Sequence, residues 1–152
     1  MIEAAVFGDN RYPYFVLRQL LDVDSSHCVV AIEPGADDDS AVIGYALTMR
    51  GNRHAWLASI AVSPDRRGRG HGRNLLQRTV DSCLEASDAD EVLLAVDPGN
   101  LPAYNLFTSF GFVLLEHHDQ YFGGSSRRSA GTGADEPRDV LSYSLHRPAT
   151  QF

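Results

Sequence analysis

The chain has 152 residues, 20 of them acidic and 13 basic, for a net charge of −7. That length holds one ordinary domain with a full core and is short for two, and the acidic balance excludes a general nucleic-acid binder, whose phosphate contacts need a basic surface. No apolar run approaches the roughly 20 residues that span a bilayer, and the opening residues lack the basic and apolar regions of a secretory signal, so no membrane partner is expected and the expected location is cytoplasmic.

All 13 basic residues are arginine, which excludes a lysine Schiff base and the lysine of a phosphate-binding P-loop. Cys28 and Cys83 have no metal-ligand spacing, so both read as buried small apolar residues and no metal site is expected.

In chain order, Tyr14, Val16, Leu17, Leu20 and Leu21 recur at helical spacing and predict a helix over Tyr12 to Leu21. His27 to Ile32 and Ala41 to Met49 are short and rich in β-branched residues, and the turn material Pro34 to Ser40 between them predicts a hairpin. The three aspartates of that turn read as a solvated loop tip rather than a cation site. After Gly51-Asn52, His54 to Val62 is apolar enough to lie at the centre of a sheet.

An arginine-glycine segment then leads into a helix whose Leu75, Leu76, Thr79, Val80, Cys83 and Leu84 form one apolar face. Val92 to Val96 reads as a buried strand. Asp97 to Asn100 is a turn, and Ala103, Leu106, Phe107 and Phe110 mark a short amphipathic helix stopped by Gly111. Phe112 to Leu115 and Asp139 to Leu145 read as the last strands. Gly123 to Arg138, nearly free of apolar residues, is expected to be a mobile loop. The order predicts a mixed α/β domain.

The chemistry concentrates at Arg67-Gly68-Arg69-Gly70-His71-Gly72-Arg73. A glycine-rich turn at a helix N-terminus presents unpaired backbone N–H groups and the positive end of the helix dipole, an arrangement suited to a diphosphate. Glycine admits the close approach and any positive φ. The spacing differs from the dinucleotide fingerprint, and no acidic ribose partner stands about 20 residues on, which disfavours a nicotinamide-dependent dehydrogenase.

Ile60 through Leu76, with this turn at its centre, resembles the signature of the GNAT superfamily of acyl-CoA N-acyltransferases, whose core is Arg/Gln-x-x-Gly-x-Gly/Ala. Leu94-Ala95-Val96-Asp97-Pro98-Gly99-Asn100, followed by Ala103, Leu106 and Gly111-Phe112, resembles the family's next segment. The resemblance runs from about Tyr45 to Phe112. It implies a single N-acetyltransferase domain over 1–152, with a central mixed, mostly antiparallel sheet flanked by helices and splayed at its central parallel strands. The family's usual first strand is not evident before the first helix, which leaves room for strand exchange in a homodimer.

The cofactor implied by the resemblance is acetyl-CoA. Carried over by position, backbone groups of Ile60, Ala61 and Val62 line its pantetheine arm, with an amide near Ile60 polarising the thioester carbonyl. Arg67, Gly68, Arg69, Gly70, His71, Gly72 and Arg73 hold the pyrophosphate. Asn100 either contacts the arm or caps its helix, and Tyr104 and Phe107 lie on the helix beside the coenzyme.

The implied reaction is direct attack of a neutral primary amine, on a small molecule or a peptide, with no covalent enzyme intermediate. Two departures stand out. Phe107 occupies the place of the family's tyrosine acid, and Ala95 that of a Glu or His base found in relatives that acetylate protein N-termini. Tyr104 and Tyr121 are the first candidates to replace them, with His54, Asp97, His117 and His118 behind. The alternative is a binding module that keeps the coenzyme site but has lost effective catalysis.

Overall fold

A computed structural model describes residues 14–22, 26–35, 41–86, 88–119 and 137–145. In chain order the elements are helix α1 (Tyr14–Leu21), strands β1 (Ser26–Ile32), β2 (Val42–Arg50) and β3 (His54–Val62), a 3-10 turn (Pro64–Arg66), helix α2 (His71–Ala86), strand β4 (Glu91–Val96), helix α3 (Leu101–Phe110), and strands β5 (Val113–His118) and β6 (Arg138–Ser144). The strand order is β1-β2-β3-β4-β6-β5. The mixed α/β class predicted from the element order is the one observed. The chain forms two compact units, one running through Val92 and including Leu145, the other spanning Leu93–Ser144.

In the first unit, β1 and β2 are antiparallel, from Ser26 opposite Met49 to Ile32 opposite Val42, which is the expected hairpin. Strand β3 then pairs antiparallel with β2, placing Gly44 opposite Val62 and Arg50 opposite Ala55. The beginning of β4 lies beside the beginning of β3. The Asp90 N–H donates to the Arg53 carbonyl at 2.9 Å, and His54 Nδ1 stands 3.0 Å from the Glu91 carboxylate. Two strands that start side by side and are joined by a helical crossover form a parallel pair.

Helix α2 buries Leu75, Leu76, Thr79, Val80 and Cys83, the i, i+1, i+4, i+5, i+8 face read from the sequence, while Leu84 is only half-buried. Each fully buried leucine or valine contributes roughly 1.5–3 kcal/mol relative to exposure. The helix can come close because Gly44 is opposite. A Cβ there would stand 2.9 Å from the Ala61 carbonyl oxygen and 3.1 Å from Leu75 Cδ1. At the far end of α2, Arg50 Nη1 donates to the Ala86 carbonyl at 2.9 Å and occupies one of the carbonyls a helix C-terminus leaves open. Cys83 is buried as expected, but Cys28 is only half-buried, because β1 is the first strand of the sheet and is covered less completely than an interior strand.

In the second unit, α3 begins at Asn100, whose Oδ1 accepts the Ala103 N–H at 3.3 Å, and ends at Gly111. That glycine has φ of 126° and donates its N–H to the Phe107 and Thr108 carbonyls, both at 3.2 Å. Behind the helix, Phe112 packs edge-on against Phe107 with centroids 5.9 Å apart, and contacts Phe110 and Tyr143 at 6.1 and 5.3 Å. Strand β5 runs antiparallel to β6, from Val113 opposite Ser142 to His118 opposite Arg138. It continues three residues past the predicted Leu115. Apolar patterning stops at Glu116, whereas the backbone ladder is carried on by polar cross-strand pairs, among them His117 with Asp139. Of the loop expected over Gly123 to Arg138, only 137 and 138 are described, and Arg138 opens β6.

Candidate active site

The turn between β3 and α2 is built by local constraints. Ser63 N–H donates to the Ile43 carbonyl at 2.8 Å and closes the β2–β3 ladder. Pro64 starts the 3-10 turn, and Arg66 Nη2 bonds Glu33 Oε2 at 2.6 Å, fastening the turn to the end of β1. Arg66 therefore serves the turn's anchorage. Gly68 and Gly70 then adopt φ of 72° and 85°, the left-handed region where L side chains are strained. An added Cβ at either would meet nothing within 4 Å. Glycine is required here by backbone conformation, and the space above both positions is open.

Gly70 leads into α2, with Asn74 N–H donating to its carbonyl at 3.0 Å. The first N–H groups of a 16-residue helix have no intrahelical acceptor, and the helix dipole makes that end positive. His71 and Gly72 are half-buried, and Arg67, Arg69 and Arg73 are exposed. Arg67 Nε donates to the Val62 carbonyl at 3.3 Å.

Backbone direction in β3 follows from the ladder. Hydrogen-bonded and non-bonded pairs alternate in an antiparallel ladder. Ser63 bonds Ile43, and Val62, Ala61 and Ile60 pair with Gly44, Tyr45 and Ala46. The Ala61 N–H and C=O consequently point to β2, and those of Ile60 and Val62 point to the opposite side. On the β2 side the strands are tied further by Tyr45 Oη and Ser59 Oγ, 2.8 Å apart.

The remaining sequence candidates separate clearly. His54 stands at the start of β3, six residues and about 20 Å of strand from Ile60, with its Nδ1 3.0 Å from the Glu91 carboxylate. It lies at the wrong end of the strand to serve the turn. Asp97 accepts the Gly99 N–H at 2.8 Å and shapes the turn into α3. Asn100 has its cap bond, one of the two roles expected for it. Phe107 is buried against Phe112, while Tyr104, one turn earlier on α3, is half-exposed. Tyr121 lies outside the described residues.

One arrangement escaped the sequence reading. Asp139 on β6 is buried, and His117 Nδ1 on β5 meets its Oδ1 at 2.5 Å. His117 Nε2 meets Asp119 Oδ1 at 3.0 Å. Hydrogen bonds to Asp139 and then to Asp119 hold the imidazole pKa above its usual value. Partial burial, followed by a hydrogen bond to Asp139 and that carboxylate's charge, pushes the Tyr104 phenol up. By sequence Asp139 is only the first residue of the last strand. Its only sequence signal is its place in β6, and its partner His117 lies 22 residues away.

The fold is thus a mixed α/β domain with a glycine-rich turn between a central strand and its crossover helix. Residues 2–112 match the Acetyltransferase (GNAT) family, and the chain belongs to that family, whose acyl donor is acetyl-CoA. Among its relatives, the L-amino acid N-acyltransferase MnaT of Escherichia coli K12 is 32% identical over 120 residues, 78% of this chain and 66% of MnaT; the match thus spans just under two thirds of that protein. The fold is also that of the Escherichia coli ribosomal-protein-S18-alanine N-acetyltransferase, with a TM-score of 0.76, 18% identity, and coverage of 99% of this chain and 88% of that one. Arabidopsis thaliana NAA60, solved with acetyl-CoA, has a TM-score of 0.73 at 15% identity, covering 89% of this chain and 85% of its own. Among the described residues no helix is long and apolar enough to cross a membrane.

Proposed function

We propose that the chain is a single N-acetyltransferase domain that moves the acetyl group of acetyl-CoA directly onto a primary amine of a small molecule or peptide. The observation that carries this reading is the turn from Arg67 to Arg73. Two positive-φ glycines with open space above them lead into the unpaired N–H groups of α2, flanked by arginines in an acidic protein. These donors suit the coenzyme's diphosphate. The outward N–H and C=O groups of Ile60 and Val62 suit its pantetheine amides, as an added strand would. When bound, the coenzyme supplies an activated acyl group. The chain's part is to align that group, to direct a backbone N–H at the carbonyl oxygen, a kind of contact worth roughly 3–4 kcal/mol, and to manage protons.

The acceptor we favour is an α-amine. Such amines titrate near 7.7–8.0 against about 10.4 for lysine, so at neutral pH the reactive neutral form costs about 3.5 kcal/mol less. A site with Phe107 and Ala95 where relatives carry an acid and a base gains most from that difference. MnaT, an N-acyltransferase of L-amino acids, supports the same class. Release of free thiol from acetyl-CoA, followed with an amino-acid panel, an N-terminal peptide and a lysine-only peptide, tests the reading. Faster release with the lysine peptide would overturn the α-amine. Coenzyme binding with no release for any amine would instead favour the catalytically impaired module suggested by Phe107.

A further inference from the structure

We propose that the hydroxyl pair of Tyr45 and Ser59 receives the acceptor amine and holds its nitrogen for attack. This role rests on the acetyltransferase reading above. Tyr45 Oη and Ser59 Oγ stand 2.8 Å apart, with Tyr45 half-buried and Ser59 buried. Tyr45 pairs with Ala61 in the β2–β3 ladder, and Ser59 pairs with Leu47. The phenol therefore crosses β3 diagonally and ends at the residue just before Ile60, the strand position whose amide is read as polarising the thioester carbonyl.

Strand geometry decides from which side an amine can come, because successive side chains point to opposite faces of a sheet. Gly44 lies beneath α2, since a Cβ there would stand 3.1 Å from Leu75 Cδ1. Ile60, paired with Ala46, faces the same way. Helix α2 buries Leu75, Leu76, Thr79 and Val80 on that side and closes it to a substrate. Tyr45, Ser59 and Ala61 point to the other face, and the two hydroxyls are the only ones that β2 and β3 carry there. Their neighbours Leu47 and Ala61 are buried and apolar. A hydroxyl oxygen keeps lone pairs beyond the one bond it makes, so whichever of the two donates, the Tyr45 oxygen can accept an N–H from a neutral amine. That bond leaves the nitrogen lone pair for the carbonyl carbon and strengthens as the nitrogen becomes cationic. Formation of the N–C bond and loss of the C–S bond release a thiolate, and the nitrogen gives one proton to water. Tyr45 and Ser59 end as they began. Tyr45 touches the substrate, and Ser59 acts through it as a positioning residue.

Tyr45→Phe keeps the ring and removes the hydroxyl, and Ser59→Ala removes its partner. With the amino-acid panel and the N-terminal peptide as acceptors, kcat/KM for the amine is expected to fall about 10- to 100-fold in Tyr45→Phe, the range for one hydrogen bond to a group that gains charge. The fall in Ser59→Ala should be smaller, and the double variant should be no worse than Tyr45→Phe alone, because the two act as a unit. Coenzyme A affinity, measured by calorimetry, is expected to stay within about twofold in every variant, since neither residue belongs to the pyrophosphate turn. Independently of turnover, the same amines titrated into protein loaded with coenzyme A should bind Tyr45→Phe about 10-fold more weakly than the unaltered protein.

An unchanged kcat/KM for the amine in Tyr45→Phe overturns this role, and so do additive losses in the double variant. Lower thermal stability in both single variants with unaltered amine kinetics overturns it too, because that is the result a cross-strand tie alone would give. Equal weakening of amine and coenzyme A would move the effect to the coenzyme site and remove the amine from these hydroxyls. Failure of the unaltered protein to bind coenzyme A, or to release thiol with any amine, would remove the acetyltransferase reading itself and the hydroxyl pair with it. Normal turnover that is indifferent to Tyr45 removes the pair alone.

Discussion

Gly70 offers the sharpest test of the pyrophosphate turn. Its φ is 85° and a Cβ there would meet nothing within 4 Å, so replacement strains the backbone without causing a clash. Gly70→Asn and Gly70→Asp are nearly isosteric, and Asn and Asp are among the L residues that best tolerate this conformation. Both should lose about 1 kcal/mol of stability, a fall in Tm of about 2–4 °C for a chain of this size. They differ in charge. A carboxylate about 4 Å from a phosphate charge is repelled by about 4 kcal/mol at an effective dielectric of 20, and by about 1 kcal/mol in bulk water. For an exposed turn the true value lies between these limits, so coenzyme A should bind Gly70→Asp about 5- to 1000-fold more weakly than Gly70→Asn. Calorimetric titration at low and high salt should show the gap narrow as ionic strength rises. Acetyl-pantetheine, which has no diphosphate, should bind the two variants equally. Equal coenzyme A affinities, or an equally large gap with acetyl-pantetheine, would remove the diphosphate from this turn.

Gly44→Ala places a Cβ 2.9 Å from the Ala61 carbonyl oxygen; because backbone cannot yield cheaply, stability should fall by about 1–3 kcal/mol, read as a lower denaturant midpoint with an unchanged m-value. Asn100→Ala removes the cap bond to Ala103 and should cost about 1 kcal/mol; coenzyme affinity reduced by more than a few-fold would show that Asn100 also contacts the arm. Because hydrogen bonds to Asp139 and Asp119 raise the folded pKa of His117, its contribution to stability is complete below about pH 6.5 and is lost as pH rises through the folded value. The stability gap between the unaltered protein and His117→Gln should therefore close on the alkaline side, and a gap that widens there would contradict the imidazolium assignment.

The parts legible in the sequence are those that local physics determines. The apolar face of α2, the hairpin of β1 and β2 and the glycine stop of α3 each depend on spacing within a few residues, and each is found where the pattern put it; of the turn's glycines, Gly68 and Gly70 take the positive φ that the sequence allows. Arg66 shows the first limit. By sequence it simply precedes the arginines of the turn, yet its guanidinium is committed to Glu33 across 33 residues, and no local pattern encodes which arginine is so used. The register of β5 on β6 shows the second. Apolar alternation fades at Leu115, and the strand continues because residues distant in the chain pair across the ladder.

The same limit bears on the chemistry. The proposed pyrophosphate turn is legible because it would bind through its backbone, and the backbone conformation is written in nearby glycines. Acid and base groups act through side chains, and these can be supplied from any strand that the fold brings alongside. Phe107 in the family's tyrosine position, buried against Phe112, therefore removes one expected residue and leaves proton delivery to side chains whose place no local pattern encodes.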